Sequence, residues 1–231
     1  MRKSSKIIVT IVIALIVVLV GGFGYIIVRD LKIEEQLKSE WEKLGYEETV
    51  DMNIYSSGDY AKVERQVKKD FQTLYEKTDD LLALFEDDRY TQLLTNQNYQ
   101  KDGPNFENSF ILLEDIGTKA STIIKEVEAL KTDDYLEQQK NKIKADEYYQ
   151  DYYLDVLRNE TIYFECIDDV ISSYQELSST SQQMIQVLLF LREHQDQWYI
   201  ENNVFTYYDE DFYEQYLLLL DDIPEEPDQN N

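Results

Sequence analysis

The chain is poor in the residues from which catalytic and metal sites are usually built. It has one cysteine, Cys166, and one histidine, His194. A single thiol excludes an internal disulfide, so packing must hold the fold together. No CxxC, no HExxH and no acidic loop with the EF-hand glycine is present, so no metal is expected. Glycine is equally sparse, and beyond residue 28 only Gly45, Gly58, Gly103 and Gly117 remain. None lies in a GxGxxG, P-loop or GxSxG context, which leaves nucleotide binding and a nucleophile elbow unsupported and no cofactor expected. Cys166 and His194 could form a thiol–imidazole pair only if the fold brought them together, and no local pattern does so. Cys166 reads instead as a structural thiol and His194 as a base near a helix end.

Positive charge is also scarce. The chain has 22 Lys and Arg against 47 Asp and Glu, a formal net charge of −25. Such a field repels phosphate backbones and anionic lipid, which argues against nucleic acid and peripheral membrane adhesion and favours cationic partners or counterions. Among so many acids no catalytic carboxylate pair stands out. The cluster Asp209, Glu210, Asp211 and Glu214 could hold Ca²⁺ weakly, but it equally suits the positive end of a helix.

What the chain does have is one long apolar run. Residues Ile7–Val28 carry no charged side chain. At about 1.5 Å per helical residue they reach roughly 33 Å, enough to cross a bilayer core of about 30 Å. The flank at 1–6 holds Arg2, Lys3 and Lys6 and no acid. By the positive-inside rule the N-terminus stays in the cytoplasm and the C-terminal body is exported. A cleaved signal peptide is the competing interpretation. It is disfavoured because Tyr25–Val28 resumes the apolar run after the glycines, where a cleavage region should be polar. The scarcity of cysteine in an exported body points to a bacterial cell envelope.

Beyond the run, the apolar spacing is helical. Residues 29–45 read as a charged juxtamembrane stalk with Leu31, Ile33, Leu37, Trp41 and Leu44 on one side, followed by a connection to Gly58. A helix capped by Asp59 carries Val63, Val67, Phe71, Leu74, Leu81 and Phe85. Residues 96–105 read as a turn, and a further helix from Phe106 is interrupted by Gly117, which suggests a close crossing or a kink. Thr132-Asp133-Asp134 is either a capped boundary or an acidic patch on one long helix. From Tyr149 to Leu177 four- and three-residue steps predict a bundle or coiled-coil seam with one charged interruption, Glu160, then a break at 178–181 recapped by Ser179. The next segment, Met184 to about His194, is apolar on most faces and belongs near the centre. Aromatic and β-branched residues around Asn202-Asn203 predict a hairpin within 198–207, before a last helix stopped by Pro224. Residues 224–231 read as a disordered tail.

The expected fold class is therefore all-α: an N-terminal transmembrane helix, then an exported up-down bundle of four or five helices spanning 46–223, with a short hairpin. Nineteen tyrosines are the unusual abundance. They either edge the core with wet hydroxyls or form a recognition surface. Tyr148, Tyr152, Tyr207, Tyr208 and Tyr213 are the candidate partner-binding residues. The expected role is a non-enzymatic binding or scaffolding module of the cell envelope, contacting a protein or envelope component. The alternative is a sensor or small-ligand receptor with a pocket near Tyr163, Cys166 and Trp198, acting through a membrane partner. The topology predicts that protease added to intact cells digests the C-terminal region. Survival of that region would place it inside.

Overall fold

The computed structural model describes residues 29–46, 49–221 and 223. The expected span at 7–28, its basic flank and the tail at 224–231 lie outside the described residues. Among those described, no helix is long and apolar enough to cross a membrane. The body is mostly helical. Residues 29–41 are helical (α1), followed by α2 (Tyr60–Phe85), α3 (Asp88–Thr91), α4 (Asn96–Asp102), α5 (Glu107–Ala129), α6 (Asp133–Lys142), α7 (Glu147–Asp155), a π-turn (Val156–Glu160), α8 (Tyr163–Glu193) and α9 (Glu210–Asp221). A two-stranded sheet, β1 (Trp198–Glu201) and β2 (Val204–Tyr207), precedes α9. The chain divides into two compact units, one formed by residues up to 72 with 136–164, the other by 73–135 with the residues from 165 onward.

In the first unit Val63, Val67 and Phe71 recur at four-residue steps on α2 and are fully buried. Tyr153, Val156, Leu157 and Tyr163 are fully buried as well, and Tyr163 meets Phe71 edge-on with ring centroids 5.1 Å apart. Leu37 and Trp41 near the end of α1 have no exposed surface and Leu44 just beyond it is 7% exposed, so this part of 29–45 belongs to the core of the unit, whereas Leu31 is 59% exposed. The connection before α2 is fastened by buried charge. Glu64 accepts from Tyr55 N (3.0 Å), Ser56 N (2.9 Å) and Ser56 Oγ (2.7 Å), and pairs with Lys68 at 3.0 Å. Lys68 Nζ also donates to the Asn53 carbonyl at 2.6 Å. A carboxylate and an ammonium without exposed surface are tolerable only because each is paired and hydrogen-bonded.

The second unit gathers Leu113, Ile116, Ala120 and Ile124 of α5, Val187, Leu188 and Leu191 of α8, and Phe212 and Tyr216 of α9 into one cluster with Tyr99, Phe106 and Trp198. The hairpin forms where expected, with Trp198 opposite Tyr207 and Glu201 opposite Val204. Asn202 and Asn203 both take positive φ, 52° and 62°. That backbone suits a type I′ turn, whose twist matches that of paired strands and which asparagine tolerates. Trp198 is 7% exposed; its Nε1 donates to the Leu191 carbonyl at 2.7 Å, and its ring stacks on Phe106 and Phe205.

A helical bundle is thus present, but several elements differ from expectation. Helix α4 occupies residues read as a turn. Thr95 caps it by accepting from Asn98 N, and its single apolar residue, Tyr99, is 2% exposed. The seam from Tyr149 is not continuous, because the chain passes through a π-turn and an extended Thr161 (φ −127°, ψ 165°) before α8. Val156 and Leu157 within that turn are both buried. The expected break at 178–181 is absent. There the Thr180 and Ser181 hydroxyls donate back to the carbonyls of Glu176 (3.1 Å) and Leu177 (3.0 Å) instead of capping a new helix. Thr132 marks a real boundary, its Oγ accepting from Tyr135 N at 3.3 Å.

Gly117 requires neither a crossing nor a kink: α5 runs through it, and a Cβ there would meet nothing within 4 Å. Replacing Gly117 with Ala should therefore stabilise the protein by about 1 kcal/mol, the helix-propensity difference, read as a raised midpoint in urea unfolding. A loss of stability would mean that the α5 backbone there depends on glycine.

Candidate functional site

The five candidate tyrosines fall into both units. On α7, Tyr148 donates to Glu34 Oε1 at 2.8 Å, and Tyr60 donates to the same oxygen at 2.5 Å. One carboxylate of α1 thus accepts a phenol from α2 and another from α7. The hydrogen bond with Tyr60 lowers the Tyr148 pKa, but burial and Glu34 outweigh it and the net shift is upward. Tyr152 is half-buried edge-on to Tyr60, 5.6 Å between centroids, and burial pushes its pKa up to about 12. In the other unit Tyr207 lies flat on Tyr213, with centroids 4.1 Å apart and planes 6° from parallel. Tyr208 is 71% exposed, beside Tyr199, whose ring lies 5.2 Å away. Tyr152, Tyr207 and Tyr213 are partly withdrawn into packing, whereas Tyr148 and Tyr208 present their rings to solvent. Tyr199, which the sequence pattern did not single out, joins Tyr208 because the two strands and the residue after β2 bring them together.

The second unit also contains a groove of about 710 Å³ between the α3–α4 region and the start of α5. Its construction begins with Asp102 at the end of α4. Phe106, the residue before α5, has φ 56° and no side-chain cap to offer. Asp102 takes that role from a distance: Oδ2 accepts from Ser109 N (2.8 Å) and Ser109 Oγ (2.7 Å), while Oδ1 accepts from Asn108 N (3.3 Å) and Asn108 Nδ2 (2.6 Å). Burial pushes the Asp102 carboxyl up, but these hydrogen bonds outweigh it and hold its pKa below the usual carboxylate range. Gly103 forms the corner. A Cβ there would stand 2.5 Å from the Tyr99 carbonyl and 2.9 Å from the Trp198 ring, so only glycine permits this close approach.

Around that corner Asn98 spends both amide hydrogens, on the Leu93 carbonyl (2.8 Å) and Ser109 Oγ (3.0 Å). Gln92 and Gln97 line the groove, and their side chains have no hydrogen-bond partner among the described residues. Of the charged lining, Arg89 is paired with Asp87 at 2.6 Å and Asp115 with Lys119 at 2.7 Å, whereas Lys101 lines the groove with no ion pair among the described residues.

The remaining sequence candidates do not assemble. Cys166 is half-buried near the start of α8, its thiol pKa raised by burial. His194 follows the end of that helix, with Nδ1 2.9 Å from the Phe190 carbonyl. Continuous helix separates the two by about 40 Å at 1.5 Å per residue, so no thiol–imidazole pair exists. The same distance removes the expected pocket joining Cys166 to Trp198, which is bonded to Leu191 at the far end of α8. Among the described residues no group of His, Cys, Asp or Glu is placed to hold a metal ion. No family model, no curated protein and no solved structure matches the chain.

Replacing Asp102 with Ala should cost about 1–2 kcal/mol, the usual worth of a helix cap. Because the folded pKa is depressed, this stabilisation is present above the unfolded carboxylate value of about 3.9 and is lost as pH falls through the folded value. Urea unfolding of both proteins should therefore show a gap at neutral pH that closes in acid. A gap independent of pH would assign the loss to packing.

Proposed function

We propose that this chain is a membrane-anchored, extracytoplasmic, non-enzymatic binding or scaffolding module of the bacterial cell envelope. Ile7–Val28 would span the bilayer and present the acidic body to a protein partner or another envelope component. The observation that carries the recognition role is the pair Tyr199 and Tyr208, 36% and 71% exposed with rings 5.2 Å apart. Neighbouring aromatic rings on a hairpin anchored by a buried tryptophan provide large contact area at low conformational cost, the usual composition of an interface anchor. The separation of Cys166 from His194 along α8 supports a role without nucleophilic chemistry. The groove beside Asp102 favours a second role, that of a small-ligand receptor acting through a membrane partner.

Placing a photo-crosslinking phenylalanine derivative at position 208 of the full chain in its native membrane should capture a partner protein. The combined substitutions Tyr199→Ala and Tyr208→Ala should lower recovery of that partner, with a crosslinker placed elsewhere, by about tenfold or more, as for loss of an interface anchor. Recovery of lipid and of the protein itself alone would remove the recognition role.

A further inference from the structure

We infer that the outer face of the β1–β2 hairpin docks a basic, lysine- or arginine-bearing segment of a partner protein. The docking rests on the Tyr199–Tyr208 contact proposed above and adds to it the chemistry of the partner. Trp198 and Phe205 turn one face of the hairpin onto the core, so the opposite face carries Tyr199 and Glu201 on β1 and Val204 on β2. Tyr199, Val204 and Tyr208 are 36%, 59% and 71% exposed. Residues 198–221 contain Glu201, Asp209, Glu210, Asp211, Glu214 and Asp221 but no lysine or arginine. None of these carboxylates forms an ion pair among the described residues. On α5, by contrast, Asp115 and Glu126 meet Lys119 and Lys77 at 2.7 and 2.6 Å. Helices α4 and α9 pack on the strands, and their single base, Lys101, lines the groove against α5.

Two kinds of negative surface therefore adjoin with no cation between them. The face of a tyrosine ring is the negative part of its quadrupole, and an ammonium or guanidinium within about 6 Å of the ring centroid is attracted to it. Glu201 stands two residues from Tyr199 on the same face, about 7 Å along the strand. One cationic side chain on the rings thus leaves room for a second at the carboxylate. Among the described residues no group of acids converges on a metal site, so a string of cationic side chains matches this surface better than a bound ion does. An anionic partner would be repelled, and a neutral sugar would leave the carboxylates uncompensated.

The test uses the full chain in detergent micelles, with synthetic dodecapeptides of matched apolar content and basic, neutral or acidic side chains as probes, and a neutral oligosaccharide set alongside. The basic peptides should bind, and their affinity should fall about tenfold or more with Tyr199→Ala and Tyr208→Ala combined. Tyr199→Phe with Tyr208→Phe keeps the ring faces and should bind like the native chain. Glu201→Gln with Asp209→Asn should weaken binding about fivefold, as for loss of two exposed charge pairs. Glu165→Gln with Asp169→Asn removes the same charge at the other end of α8 and should change nothing. In native membranes the basic peptide should also displace the partner captured at position 208. Preference for neutral or acidic peptides or for the oligosaccharide, no binding at all, an equal loss in the α8 control, or a captured partner that the basic peptide does not displace would each overturn the basic partner while leaving the tyrosine contact standing. Undiminished binding of basic peptides by the Tyr→Ala variant would overturn the docking at these rings, and capture of lipid alone at position 208 would remove the contact itself.

Discussion

The Trp198 indole is the contact on which the second unit depends. Its N–H satisfies the Leu191 carbonyl near the end of α8, one face stacks on Phe106 at the entrance of α5, and Phe205 of the opposite strand packs against the same ring. Gly103 is close enough that a side chain there would strike it. A single buried ring therefore sets three things at once: where α8 stops, how the hairpin leans on the core, and how tightly the chain turns between α4 and α5. The exposed tyrosine pair and the amide-lined groove are both downstream of that arrangement. Aromatic side chains suit such a role because they bury large areas with few rotatable bonds, and tryptophan adds one directional polar group.

The first unit reaches definition by a different route. Its core includes Glu64 and Lys68 with 0% and 1% exposure, and Asp70 at 1% accepts from Tyr153 at 2.6 Å and from Gln66 at 3.1 Å. Apolar packing alone would let the segment before α2 slide, whereas buried polar groups demand particular partners and penalise any other placement. Glu34 extends this logic to the surface, binding α1 to α2 and α7 through two phenols on one oxygen.

Much of this was legible wherever local pattern and packing coincide. The stripe Val63–Val67–Phe71 and the Asn202-Asn203 turn follow from the side-chain periods of helix and strand and from the φ preferences of asparagine. Legibility failed where one residue type has two uses. The run at 178–181 looks like a break capped by Ser179, yet inside α8 the Thr180 and Ser181 hydroxyls bond to the preceding turn. Residues 96–102 are polar enough to pass for a turn, because Tyr99 alone tethers that helix to the core. The groove was invisible for a related reason. Asp102 reaches Asn108 and Ser109 only once the corner at Gly103 exists, and nothing in the spacing of an aspartate and a serine seven residues apart announces it. Tyr208 was legible as exposed aromatic surface, whereas Tyr199 needed the hairpin to bring it alongside.

A formal net charge of −25 makes the surface of this protein strongly anionic. Any contact made by the acidic surface would weaken as dissolved salt shortens the reach of its field, which at about 0.15 M extends only about 8 Å. The Glu64–Lys68 pair lies where that screening scarcely reaches, with 0% and 1% of the two side chains exposed. The fastening of the segment before α2 would therefore be nearly indifferent to ionic strength, so one molecule would carry an interaction that responds to its electrolyte and another that does not.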